Sequence, residues 1–203
     1  MKALQRVAFA LYIASLVAAF GSPAKADESN KLTIFTFSQP VELPGNKVLP
    51  AGTYAFKLMD SASDRNVVQV FNKDMTKLYA TILTVPDYRL QPHDKTIIRF
   101  SETAPGGPEA IKEWFYPGDQ YGQEFVYPKS RAAEIAKAAN QSVPSMPSEL
   151  SGNVSQPAGN SKAPSVTAMK EAQLKAENAN GKETNVEQAF GTNPANKSSS
   201  QSK

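Results

Sequence analysis

Five acidic residues fall close together in the middle of this sequence: Glu102, Glu109, Glu113, Asp119 and Glu124. They are interleaved with Trp114, Tyr116 and Tyr121. Two carboxyl groups with separated pKa values can hydrolyse glycosidic bonds, one as acid and the other as base or nucleophile. Glu113 with Glu124 or Asp119 is the pairing to consider. The same stretch supports a milder chemistry. "EWFYPGDQYGQEFVY" (Glu113 to Tyr127) carries five aromatic residues besides Trp114 in fifteen positions. Aromatic faces flanked by acids and amides suit sugar rings, which makes Trp114, Tyr116 and Tyr121 a candidate ligand-binding platform. The plainer alternative is that Trp114, Phe115 and Phe125 are core residues of a β-domain, with Glu113 and Glu124 on its solvated face.

Other chemistry is scarce. The single histidine, His93, precedes Asp94 in a Pro-His-Asp turn, and neighbours on a loop rarely have the geometry of a base and its orienting acid. There is no cysteine, so thiol catalysis and Cys-ligated zinc are excluded. The sequence lacks G-x-S-x-G, H-E-x-x-H, a phosphate-binding glycine loop and an EF-hand loop. The expectation is a non-enzyme with no cofactor and no metal site.

The first 26 residues look like an export signal. Lys2 and Arg6 form a basic start, Val7 to Phe20 is uncharged and apolar, and Ala24-Lys25-Ala26 offers a small-residue cleavage site. Fourteen apolar residues are short against the roughly 20 of a spanning helix. The sequence therefore predicts cleavage after Ala26, no transmembrane segment thereafter, and a periplasmic or extracellular location. Three of the 22 Lys and Arg residues lie in the signal, leaving 19 against 19 acidic residues. A net charge of zero provides no basic surplus to neutralise phosphates, so a nucleic-acid partner is set aside.

What remains divides in two. Residues 27–140 hold fourteen aromatic residues, whereas 141–203 hold only Phe190. Leu, Ile, Val and Phe make up about a tenth of that second part, which is rich in Ser, Asn, Ala, Gln, Pro and Lys. Such a composition predicts a low-complexity, disordered tail, with at most a nascent helix at Val166 to Asn178.

The elements that would position the aromatic and acidic residues are strands. Seven runs rich in β-branched and aromatic residues occupy 31–37, 53–59, 66–72, 78–85, 95–101, 110–116 and 122–127, separated by Pro, Gly and Asn turns. They predict a mainly β domain, an antiparallel sandwich or small barrel of about seven strands. Leu78 to Val85 is apolar on both sides and must be covered on both faces. Lys129 to Asn140 is the expected helix, with Ser130 as its N-cap. In "VLPAGTYAFKL" (Val48 to Leu58), Pro50 presets the first corner of a hairpin and Gly52 is expected in the left-handed conformation.

"NKVLPAGTYAFKL", "VVQVFNKDMTKLYATI", "TIIRFSE" and "PEAIKEWFYPGDQYGQEFVYPKSRAAEIA" together resemble a group of exported bacterial proteins of unknown function that carry a G-x-x-L-P-A-G-T-Y hairpin. The likeness covers about residues 31 to 139, and Asn46 replaces glycine before Lys47. It implies a small β-rich envelope domain with no established activity and no catalytic residue to carry over. The expected partners are a cell-envelope component or a polysaccharide.

Overall fold

The computed structural model describes residues 31–59, 66–155 and 157–190. The expected signal peptide (1–26) and the last thirteen residues of the tail lie outside these. The protein is mainly β. Nine strands form one sheet: β1 (Leu32–Phe37), β2 (Val41–Leu43), β3 (Lys47–Leu49), β4 (Gly52–Leu58), β5 (Val67–Asn72), β6 (Leu78–Tyr88), β7 (Ile97–Ser101), β8 (Glu109–Phe115) and β9 (Tyr121–Phe125). Their order is β1-β4-β5-β6-β9-β8-β2-β3, with β7 paired to β8. All pairs are antiparallel except β2–β8.

This sheet is strongly curled. Trp114 on β8 and Phe56 on β4 are four strand spacings apart along the order, about 19 Å if the sheet were flat. Their ring centroids lie 6.4 Å apart. Phe37 on β1 lies 6.0 Å from Phe100 on β7, so the two ends of the sheet meet through side chains. They do not hydrogen-bond to each other, and the sheet is not a closed barrel. Phe56, Trp114, Phe125, Ile82 and Val70 fill the space inside the curl.

Two sharp turns are set by residue type. The three-residue connection between β2 and β3 places Gly45 at φ 80° and Asn46 at φ 58°. Glycine and asparagine tolerate that left-handed region best. A Cβ on Gly45 would also stand 3.0 Å from the Val154 Cβ. Gly52, by contrast, is not left-handed: it opens β4 opposite Phe37. The corner at Pro50 is held instead by the Tyr54 hydroxyl, which donates to the Pro50 carbonyl at 2.9 Å.

A second, four-stranded sheet follows, ordered β10 (Tyr127–Pro128), β11 (Val143–Met146), β12 (Lys175–Glu177) and β13 (Glu183–Asn185). Four helices accompany it: α1 (Lys129–Ala139), α2 (Ser151–Ser155), α3 (Pro164–Glu171) and α4 (Val186–Phe190). The expected helix is therefore present, although Ser130 does not cap it. Pro128 holds the cap position, and the Ser130 N–H donates to Ser148 Oγ.

The expectation of a disordered tail fails over 143–190. Val154, Val166 and Met169 are fully buried and belong to the same core as the strands. Gln69 and Thr81, polar residues buried on β5 and β6, fix the chain at Ala158: Gln69 Nε2 donates to its carbonyl at 2.8 Å, and its N–H donates to Thr81 Oγ1 at 3.0 Å. The apolar residues of this region are few, but they converge on one face of β6. A composition averaged over 63 residues hides that concentration.

Candidate functional site

Strands β8 and β9 run side by side with Glu113 opposite Glu124 and Trp114 opposite Gln123. Because side chains alternate across a strand, these two adjacent rungs present different chemistry on opposite faces of the sheet.

One face carries the acids. Glu113 and Glu124 are 3 % and 4 % exposed, so the expectation that they lie on a solvated face is wrong. Burial, with the nearby Asp87 carboxylate adding to it, pushes the Glu124 carboxyl up to about 8. Burial also raises Glu113, and Asp87 adds a hydrogen bond and repulsion in the same direction. Arg99 Nη1 stands 2.9 Å from Glu113 Oε1 but is not aligned to hydrogen-bond it, and desolvation outweighs this ion pair. A register shift leaves Lys112 as the extra residue of a bulge: Arg99 pairs with Glu113 and Phe100 with Ile111. Lys112 favours the charged form of both glutamates without reversing either shift. Asp119 does not join them; it pairs with Lys31 at another place. Among the described residues no three acidic or histidine side chains are grouped to hold a metal ion.

The other face opens on a cleft. It lies at the seam of the curl, where the ends of β1 and β4 (Lys31, Leu58, Met59) approach Pro86 of β6 and the segment Asp119–Gln123. Its volume is about 310 Å³. Lys31 and Asp119 form an ion pair across it. The amides of Asn66, Gln120 and Gln123 and the ring of Tyr121 complete the lining. A small recess of about 10 Å³ shares Lys31, Leu58, Asp119 and Tyr121 with the cleft and is also lined by Trp114 and Tyr116. The Thr84 hydroxyl oxygen lies 2.5 Å from the Gln123 side-chain amide and 3.0 Å from the Asn66 carbonyl, tying the two together.

The three aromatic residues singled out in the sequence are thus brought together, but not as a flat platform. Trp114 is 2 % exposed and packs edge-on against Phe56 and Phe35. Tyr116 is half-buried, and only Tyr121, 58 % exposed, presents a free face, tilted against Tyr88 at 5.3 Å. Lys31, Asn66, Gln120 and Gln123 were not singled out; isolated polar residues give no signal in a sequence. His93 lies in an exposed turn, where its Nδ1 accepts the Lys95 N–H at 3.1 Å. No family model, curated protein or solved structure matches the chain.

Proposed function

We propose that this protein is an exported, non-catalytic binding domain of the cell envelope whose seam cleft takes a glycan. One observation carries the reading: Trp114, Tyr116 and Tyr121, distant in burial but adjacent in space, line a single cavity system with three side-chain amides and an ion pair. Such a lining offers apolar surface to C–H faces and both donors and acceptors to hydroxyls. Neither Glu113 nor Glu124 lines the cleft, which favours binding over hydrolysis. The resemblance to exported bacterial β-domains and the apparent signal sequence favour an envelope location. We also read the curled sheet as an open sandwich, its β1-β4-β5 half packed on its β9-β8-β7 half, with the cleft at the open end.

Trp114 is the only tryptophan, and it lines the recess that adjoins the cleft, so its emission senses occupation next to it. Titration with soluble envelope oligosaccharides is expected to shift that emission saturably, and Tyr121→Ala is expected to weaken the response about tenfold or more. An unmoved spectrum together with no retention on insoluble polysaccharide would overturn the reading.

A further inference from the structure

We propose that the outer edge of β1 is a self-association surface, on which a second copy of this chain pairs antiparallel about Ile34.

The groups available at that edge follow from the pairing of β1 with β4. The Leu58 N–H donates to the Lys31 carbonyl at 3.0 Å, one rung before the Leu32–Lys57 pair. Hydrogen-bonded and non-bonded rungs alternate along an antiparallel pair, so Lys31, Thr33, Phe35 and Phe37 bond to β4. The N–H and C=O of Leu32, Ile34 and Thr36 point the other way, and among the described residues no strand pairs with that edge. The same three residues carry the exposed side chains of β1, Ile34 the most at 55 %. A row of unpaired backbone groups and a largely apolar strip therefore coincide.

The other free edges show what β1 lacks. Sheets guard their edges by brevity, charge, proline or a bulge. β3 is three residues long and begins with Lys47, β10 is two residues ending in Pro128, and β13 is three residues beginning with Glu183. β7, paired only to β8, carries the exposed Arg99 and a shift in its register. β1 is six residues, "LTIFTF", with no charge, no proline and no register shift. Of the edges in the described sheets, it is the one left open to pairing.

A second copy fits it. A two-fold axis through Ile34 sets Ile34 against Ile34 of the second copy and Leu32 against Thr36. Every edge-directed N–H and C=O of the three residues is then matched, whereas a slip of two residues leaves an end unmatched. On the other side of the strand, Thr33 falls opposite Phe35, a β-branched residue against an aromatic one. No like charges meet: Lys31 falls opposite Phe37, and the two Lys31 residues stand about 20 Å apart along the strands, beyond the screening length of roughly 10 Å. Each copy has one such edge, so the pairing closes as a dimer and does not grow into a fibre. The contact runs from Leu32 to Thr36 on each side, against roughly 20–30 residues in a standard interface, which makes the association weak.

The test uses the chain from Asp27 onward, which keeps every described residue. Sedimentation equilibrium is expected to find monomer at about 1 µM and dimer forming with a midpoint between about 10 µM and 1 mM. Ile34→Lys sets two ammonium groups face to face and is expected to raise that midpoint about tenfold or more. Leu90→Lys, at an apolar residue still more exposed but away from the edge, is expected to leave it unchanged. Cysteines read the register, because the chain has none of its own. Residues facing each other in a hydrogen-bonded rung have Cα atoms about 5.5 Å apart, within disulfide reach. Under air, Ile34→Cys is expected to form a linked dimer about tenfold or more faster than Leu90→Cys. Leu32→Cys alone is expected to link slowly, and rapidly once mixed with Thr36→Cys. A chain still monomeric at about 1 mM, or Ile34→Cys linking no faster than Leu90→Cys, would overturn the proposal. So would assemblies larger than two that Ile34→Lys dissolves. Protection of the Ile34 and Thr36 amides from exchange by an added alternating Val-Thr octapeptide, in a chain that stays monomeric, would assign the edge to a foreign strand and overturn the second copy.

Discussion

Glu113 and Glu124 place two carboxyl groups opposite each other on one buried rung, with Asp87, Arg99 and Lys112 around them. The consequence is a pH dependence with a definite sign. An acid whose folded pKa lies above its unfolded value is stabilising while protonated. Its contribution is complete below the unfolded value, near 4.5, and is lost as pH rises toward the folded value of about 8. The unaltered protein is expected to lose a few kcal/mol of stability between pH 4.5 and 8.5 from this pair. Glu124→Gln keeps the shape and removes the titration. Urea unfolding is expected to find the variant more stable than the parent at pH 8.5 and no more stable at pH 4.5. A difference independent of pH would count against the assignment. A second residue-scale constraint lies beside the pair. A Cβ on Gly122 would stand 2.6 Å from the Phe115 ring, which itself lies under Arg89. Gly122→Ala forces one of the two strands to shift and is expected to cost roughly 1–3 kcal/mol.

At the scale of elements, α1 is tied to the main sheet by charge more than by apolar area. It buries only Ala132, Ile135 and Ala136. Arg131, however, forks onto Glu42 of β2 through Nε at 2.7 Å and Nη2 at 2.6 Å, with Glu42 nearly buried. Removing one partner of such a pair strands a buried charge, so Arg131→Ala is expected to destabilise by about 3 kcal/mol. Arg131→Lys is expected to recover only part of this because it cannot bind both oxygens, and the denaturation midpoints of the two variants check the order. The helix and the seven longer strands were legible because apolar alternation and alanine content are local signals. β2 and β3, "VEL" and "KVL", are too short to show a period. β11 to β13 contain proline or charged residues; β11 pairs with β10 and β12, both remote from it in sequence, and β13 pairs with β12 across a short turn. Gly52 was misread for a related reason: a Pro-Ala-Gly string matches a left-handed turn, and the Tyr54–Pro50 hydrogen bond that closes the corner another way is not visible in residue types. The aromatic half of the candidate site was legible as a cluster within 113–127. Lys31 and Asn66 reach it from strands far earlier in the chain, and only the curl of the sheet brings them there.

For the whole molecule, β6 links the two readings of the sequence. Its residues from Ala80 to Val85 are buried on both sides, a requirement visible in the apolar pattern. The structure supplies that cover with α2, α3 and the Ala158 segment. The described residues between 143 and 190 are thus part of the folding unit rather than an appendage to it. Val143, Met146, Val154, Val166 and Met169 are all 5 % exposed or less. Each such side chain contributes on the order of 1.5–3 kcal/mol on burial, and five of them together match the 5–15 kcal/mol by which a whole domain is normally stable. Deleting them would also uncover the matching apolar surface of β6 and leave Gln69 and Thr81 without their partner at Ala158. A chain ending at Asn140 is therefore expected to lose cooperative thermal unfolding and to bind a hydrophobic dye, while a chain ending at Phe190 retains the parental midpoint. A disordered tail makes the opposite forecast: both truncations would melt as the full chain does, and that result would refute the single folding unit described here.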